Sequence, residues 1–210
     1  MSGHIAALND SVTRKKVVYK NRYGLEIMGE LYYAKDMDLT RKHPALIVGA
    51  PYGGVKEQGP CVYGSELARR DFVVLTFDQS FMGESGGFPR NVSCPDIFTE
   101  NFSAAVDFLG LQSFVEREKI GAIGICGSGG FALSAAQMDT RIRAVATASM
   151  YDMSVAVRGG QDRAALQAVK AQLSAQRWKD AENGYPEYLP GFPEQPIEEV
   201  PANIPEPDAE

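Results

Sequence analysis

The 210-residue sequence predicts an α/β fold: a mostly parallel sheet that starts with an antiparallel hairpin and carries helices on both faces. Three observations predict it. Short apolar runs of strand character alternate with helical patterns from Lys16 to Ala148. Pro44–Ala50 is a short apolar run of the buried-strand type, and Phe72–Phe77 is a further strand, apolar but for Thr76, as expected of a parallel sheet covered on both faces. One run, finally, ends directly in a glycine-rich turn that opens a helical pattern, Lys119-Ile-Gly-Ala-Ile-Gly-Ile-Cys-Gly-Ser-Gly-Gly-Phe131.

In chain order, Lys16–Lys20 and Leu25–Tyr33 read as two strands of a hairpin joined by Asn21-Arg-Tyr-Gly24. Pro44–Ala50 is the third strand and runs into Pro51-Tyr-Gly-Gly54, after which the pattern from Lys56 to Arg70 is helical. Phe72–Phe77 is the fourth strand. A loop from Asp78 to Asp96 leads to a helix near Ile97 to Phe114, on which Phe98, Phe102, Ala105, Val106 and Leu109 fall at helical spacing and mark a core face. The glycine-rich strand-turn-helix follows, then Ile142–Ala148 as a further strand.

From about Val155 the character changes. Ala164 to Trp178 reads as an amphipathic helix, and Gly184 to Glu210 holds seven of the twelve prolines and seven acidic residues. Tyr185, Tyr188, Leu189, Phe192 and Ile197 supply apolar anchors there, which favours a lid or linker over a solvated tail. The expected organisation is a core over residues 1–153 and a helical, proline-rich acidic lid or linker over 154–210.

Composition excludes several classes. The net charge is −6 and the basic groups Arg14-Lys-Lys16, Arg41-Lys42 and Arg69-Arg70 are scattered, so nucleic acid is not an expected partner. Three cysteines, Cys61, Cys94 and Cys126, are too few for a disulfide scaffold or a zinc site, and no cofactor is expected. The first fourteen residues lack an apolar signal region and no segment approaches the length of a membrane span. A reducing, cytoplasmic setting without membrane attachment is the expectation.

The segment ending at Cys126 has the arrangement of a nucleophile elbow, in which a sharp strand-to-helix turn lifts a reactive side chain clear of the sheet. Such a turn needs small residues two places before and after the nucleophile, here Gly124 and Ser128. The following helix start favours a thiolate, and the Gly127 N–H is placed to meet a developing oxyanion. A cysteine at a strand end can also be a small core residue. Four glycines between positions 124 and 130 favour the nucleophile. A second frame, Cys126-Gly-Ser-Gly-Gly130, makes Ser128 an alternative nucleophile, two residues past the strand. A phosphate-cradling loop is the weaker reading: Cys126 replaces the middle glycine of the dinucleotide motif, and no Lys-Ser or Lys-Thr pair follows.

With this elbow, the Pro51-Tyr-Gly-Gly54 loop and Asp78-Gln-Ser-Phe-Met-Gly-Glu-Ser-Gly-Gly87, the chain resembles an α/β-hydrolase of the dienelactone-hydrolase-like branch over about Lys16 to Met153. The resemblance implies that Cys126 is the nucleophile and that the oxyanion hole combines Gly127 N–H with the backbone N–H of Tyr52 or Gly53. It gives Gly83, Gly86 and Gly87 a role in loop geometry, and Glu84 a structural contact. It also implies a triad histidine and acid. His4 lies in the polar start and His43 precedes the third strand, at the edge opposite the strands' carboxyl ends. Neither suits the role, so the histidine, and with it the acid, is expected beyond this chain's end, together with the last strands of the sheet. Asp152, directly after Ile142–Ala148, is either a triad acid or a turn residue or helix cap.

The expected function is hydrolysis of an ester, thioester or lactone of a small-molecule acyl substrate by Cys126. Without a base, the 210 residues alone would keep only the ~10³ to 10⁴ of rate enhancement over water that binding and an oxyanion hole provide. The competing expectation is a non-catalytic α/β binding module. An open sheet edge would also allow homodimerisation or pairing with a complementary C-terminal fragment.

Overall fold

The computed structural model describes residues 3–188, and its first elements are the expected antiparallel hairpin, longer than the apolar residues alone suggested. β1 spans Val12–Lys20 and β2 spans Glu26–Ala34, paired from Val12↔Ala34 to Lys20↔Glu26. The polar residues Thr13 to Lys15 join the strand because β2 offers them ladder partners as far as Ala34. In the connecting turn Asn21 accepts hydrogen bonds from Tyr23 N–H and Leu25 N–H, and Gly24 takes φ +77°, which glycine tolerates without strain.

β3 (His43–Gly49), β4 (Val73–Phe77), β5 (Val115–Ile125) and β6 (Ile142–Ala148) complete a six-stranded sheet in the order β1-β2-β4-β3-β5-β6. β2 joins β4 antiparallel, while β3, β4, β5 and β6 run parallel to one another. The apolar runs are explained by two faces that are both covered. Ala45 and Ile47 of β3 and Val73, Leu75 and Phe77 of β4 enter one core with Phe102, Ala105 and Leu109 of α2 (Pro95–Gly110) and Ala132 and Ala135 of α3 (Ser128–Met138). The intervening Val48 and Val74 face the other way, into a core with Cys61 and Ala68 of α1 (Gly59–Ala68). Phe77 and Phe102 meet edge to face with ring centres 5.3 Å apart, locking α2 onto the sheet.

Two helices begin elsewhere than their periodicity implied. α1 starts at Gly59, with Pro60 in its first turn, so Lys56 belongs to the preceding loop. α2 starts at Pro95 and ends at Gly110, which frees residues 111–114 to turn into β5. After β6 comes a short helix, α4 (Met153–Arg158).

The chain divides into two units, Met1–Val157 and Arg158–Glu210. In the second, α5 runs from Arg163 to Asn183, longer than Ala164–Trp178. Asp162 caps its start by accepting from Ala165 N–H at 2.8 Å, and Gly184 ends it in the left-handed conformation at φ +75°. No residue of α5 is buried among the described residues, and Trp178 is 74% exposed. Most of the proline-rich lid or linker segment, including Leu189, Phe192 and Ile197, lies outside the described residues.

Candidate active site

The turn after β5 is built by the absence of side chains. Gly49 and Gly124 are register partners on β3 and β5. A Cβ on Gly124 would lie 2.3 Å from the Ser128 carbonyl oxygen, and one on Gly49 would lie 3.0 Å from the Ser128 Cβ. The first turn of α3 therefore sits on two bare backbone positions. Cys126 adopts φ +53°, a left-handed conformation rare for a residue with a side chain, and its N–H donates to the Ala148 carbonyl at the end of β6. This strained residue directly between a strand and a helix is the expected elbow geometry, and Cys126 is partly exposed at its apex.

The loop after β3 packs against the same turn. A Cβ on Gly127 would fall 2.9 Å from the Tyr52 Cβ and 3.3 Å from the Met153 sulfur. Gly53, next to Tyr52, takes φ +76°. Tyr52 is 43% exposed. Among the described residues no acceptor is hydrogen-bonded to the backbone N–H of Tyr52, Gly53 or Gly127.

Ser128, the alternative nucleophile, is 1% exposed and its hydroxyl donates to the Ala50 carbonyl oxygen. That placement suits a pin between α3 and the end of β3. Asp152 is exposed, and its Oδ1 accepts from Ser154 N–H, the Ser154 hydroxyl and Val155 N–H at 2.7–3.0 Å, the pattern of a helix cap for α4.

Both histidines are engaged away from Cys126. His4 Nε2 lies 2.9 Å from each carboxylate oxygen of Glu30, a β2 residue only 1% exposed that also accepts from the Tyr32 hydroxyl. Burial, reinforced by this carboxylate, pushes the Tyr32 hydroxyl pKa above its ordinary value. His43 begins β3, at the opposite end of the sheet from Cys126, with Nε2 2.9 Å from the Asp38 carbonyl oxygen.

A cluster that the sequence did not reveal lies beside the Tyr52 loop. Lys56 is 0% exposed, with its ammonium 2.8 Å from Asp78 Oδ2, 2.8 Å from Glu84 Oε2 and 2.6 Å from Glu57 Oε1. Burial alone would lower the lysine pKa, but hydrogen bonds to Asp78, Glu57 and Glu84 hold it above the ordinary value. Glu84, expected to make a structural contact, does so with Lys56 and Lys16, and these hold its pKa below the usual carboxylate range. Only the helical reading of Lys56 stood in the sequence; its charge gave no sign of burial.

Among the described residues no group of three or more His, Cys, Asp or Glu side chains is arranged to hold a metal ion, and no helix is long and apolar enough to cross a membrane.

The architecture matches solved structures. The α/β hydrolase GrgF from a Penicillium species superposes with a TM-score of 0.72 at 22% identity, over 85% of this chain and 58% of that one. This chain has the α/β-hydrolase fold. A crystal structure of a hypothetical Pseudomonas aeruginosa protein of the same fold superposes with a TM-score of 0.85 at 47% identity, covering 89% of this chain and 59% of that one. In sequence, an uncharacterised Pseudomonas aeruginosa protein is 49% identical over 89% of this chain and 51% of its own length. The thiohydrolase aneE of Aspergillus aculeatus is 32% identical over 65% of this chain and 42% of its own. The chain thus spans about half the length of the curated relatives it matches. No family model matches it.

Proposed function

We propose that the protein is a hydrolase of ester, thioester or lactone bonds of the dienelactone-hydrolase-like type, with Cys126 as nucleophile. The observation that carries this is the strained φ of Cys126 at the strand-to-helix turn, with the Tyr52 loop packed against Gly127. Thioesters are the favoured class, since a relative 32% identical bears the name thiohydrolase.

In the proposed reaction the Cys126 thiol yields its proton to a base while its sulfur forms a bond to the acyl carbon. The carbonyl π pair moves onto oxygen, where Gly127 N–H and the N–H of Tyr52 or Gly53 stabilise the charge. Collapse expels the thiol or alcohol, which takes up the proton, and water then displaces Cys126 from the acyl group by the same two steps. His4 and His43 are bound elsewhere, so the base is assigned to a residue outside those described.

The test is hydrolysis of a panel of acyl thioesters, esters and lactones by the full-length protein. Loss of turnover in Cys126→Ala with retention in Cys61→Ala is expected; undiminished turnover in Cys126→Ala overturns the mechanism. The engagement of both histidines away from Cys126 favours a second reading, a non-catalytic binding module that keeps the elbow as a tight turn. Wild-type protein that binds acyl compounds without turning any over would select it.

A further inference from the structure

The loop between β3 and α1 carries the Tyr52 and Gly53 amides, and much of its own bonding is local. Gly54 N–H to the Pro51 carbonyl and Gln58 N–H to the Val55 carbonyl close turns within it. The Ile5 N–H, donating to the Glu57 carbonyl, joins it only to the N-terminal segment. The tie to the sheet is Lys56, through Asp78.

Asp78 directly follows β4 and is 0% exposed. One of its oxygens accepts the Lys56 backbone N–H at 2.8 Å; the other accepts the Lys56 ammonium at 2.8 Å and the Glu84 N–H at 2.9 Å. Room for the carboxylate comes from Gly83, at φ +49°, where a Cβ would lie 2.4 Å from Asp78 Oδ2. Gly49 and Phe77 are register partners, so the loop leaves β3 level with Asp78 on the neighbouring strand. One carboxylate thus sets the backbone at position 56, four residues from Tyr52, relative to the sheet that also carries the Cys126 turn.

We infer that the Lys56–Asp78 ion pair is a positioning device that holds the Tyr52–Gly53 backbone at the distance from Gly127 at which their N–H groups converge on one oxygen; this rests on Cys126 being the nucleophile. A buried ion pair is a poor source of net stability, because desolvation offsets its attraction. Its directional bonds to both the backbone and the side chain of Lys56 instead specify one loop conformation.

The experiment uses two reagents on one thiol of the full-length protein. Iodoacetamide reacts at a tetrahedral carbon: an S–C bond forms, iodide leaves with the C–I pair, and no oxyanion arises. An aryl thioacetate reacts at a carbonyl: an S–C bond forms, the π pair moves to oxygen, and collapse expels the aryl thiolate. Only the second reaction uses the two amides. Lys56→Met and Asp78→Asn are expected to slow acylation of Cys126 by about 10²-fold, the order found on losing one oxyanion donor, while alkylation of Cys126 stays as in the wild type. Lys56→Met combined with Asp78→Leu removes both charges of the fully buried pair together, leaving only the partly exposed Glu57 and Glu84 without the ammonium, and should fold and show the same selective loss. Acylation at the wild-type rate in that soluble double variant, or equal losses in both reactions, would overturn the positioning role while leaving Cys126 as nucleophile. A wild-type protein alkylated at Cys126 but never acylated there would overturn the nucleophile and the inference together.

Discussion

Gly127 and Tyr52 approach so closely that a methyl group at position 127 would stand 2.9 Å from the Tyr52 Cβ. The other neighbour of that methyl, Met153, can swing aside, but the Tyr52 Cβ is fixed to its backbone. Gly127→Ala should therefore displace the loop and weaken catalysis by about 10²-fold, the order of one lost oxyanion donor, with little change in melting temperature. Steady-state kinetics alongside thermal unfolding checks both halves.

Ser128 separates the two nucleophile frames. Ser128→Ala orphans the buried Ala50 carbonyl and should cost about 1–3 kcal/mol of stability, measurable by urea unfolding, with acylation of Cys126 retained. Loss of acylation in a folded Ser128→Ala protein would contradict this.

The cysteines differ in access. Cys61 is 4% exposed, inside the α1 core, whereas Cys126 is partly exposed. Near neutral pH, mass spectrometry after limited iodoacetamide treatment should find the label on Cys126 well before Cys61, which should resist until the protein unfolds.

Asp139 gives an acid-limb prediction. Its hydrogen bonds from the Arg141 guanidinium hold its pKa below the ordinary aspartate value of 3.8. A depressed carboxylate adds stability above the unfolded pKa and loses it as pH falls through the folded one. Arg141 is 51% exposed, so screening keeps the contribution below about 1 kcal/mol. Urea titrations between about pH 5 and pH 2 should show a shallower decline for Arg141→Gln than for the wild type.

β3 and β4 were legible because burial on both faces leaves few polar residues in them, and the elbow because glycines crowd a strand-to-helix turn where close packing demands bare backbone. Thr13 to Lys15 were not, since their strand conformation comes from pairing with Leu31 to Tyr33, not from their own side chains. The start of α1 was misplaced for a related reason. Lys56 carries an ordinary helix-compatible side chain, but α1 starts only at Gly59, with Pro60 in its first turn, and Lys56 is instead tied to Asp78, 22 positions along the chain. Within the candidate site, Cys126, Gly127 and Tyr52 could be read locally. The Lys56 cluster could not, because a charge that will be buried looks the same in sequence as one that will be solvated.

The contact between His4 and Glu30 has a practical side. Trimming the first eight residues to obtain a tidier recombinant product would strip the imidazole from a carboxylate that is 1% exposed in the intact chain. Such a product would keep every strand and helix of the sheet unit and still uncover one of its buried acids, so the segment around His4 should be treated as part of the folded domain when expression vectors are designed.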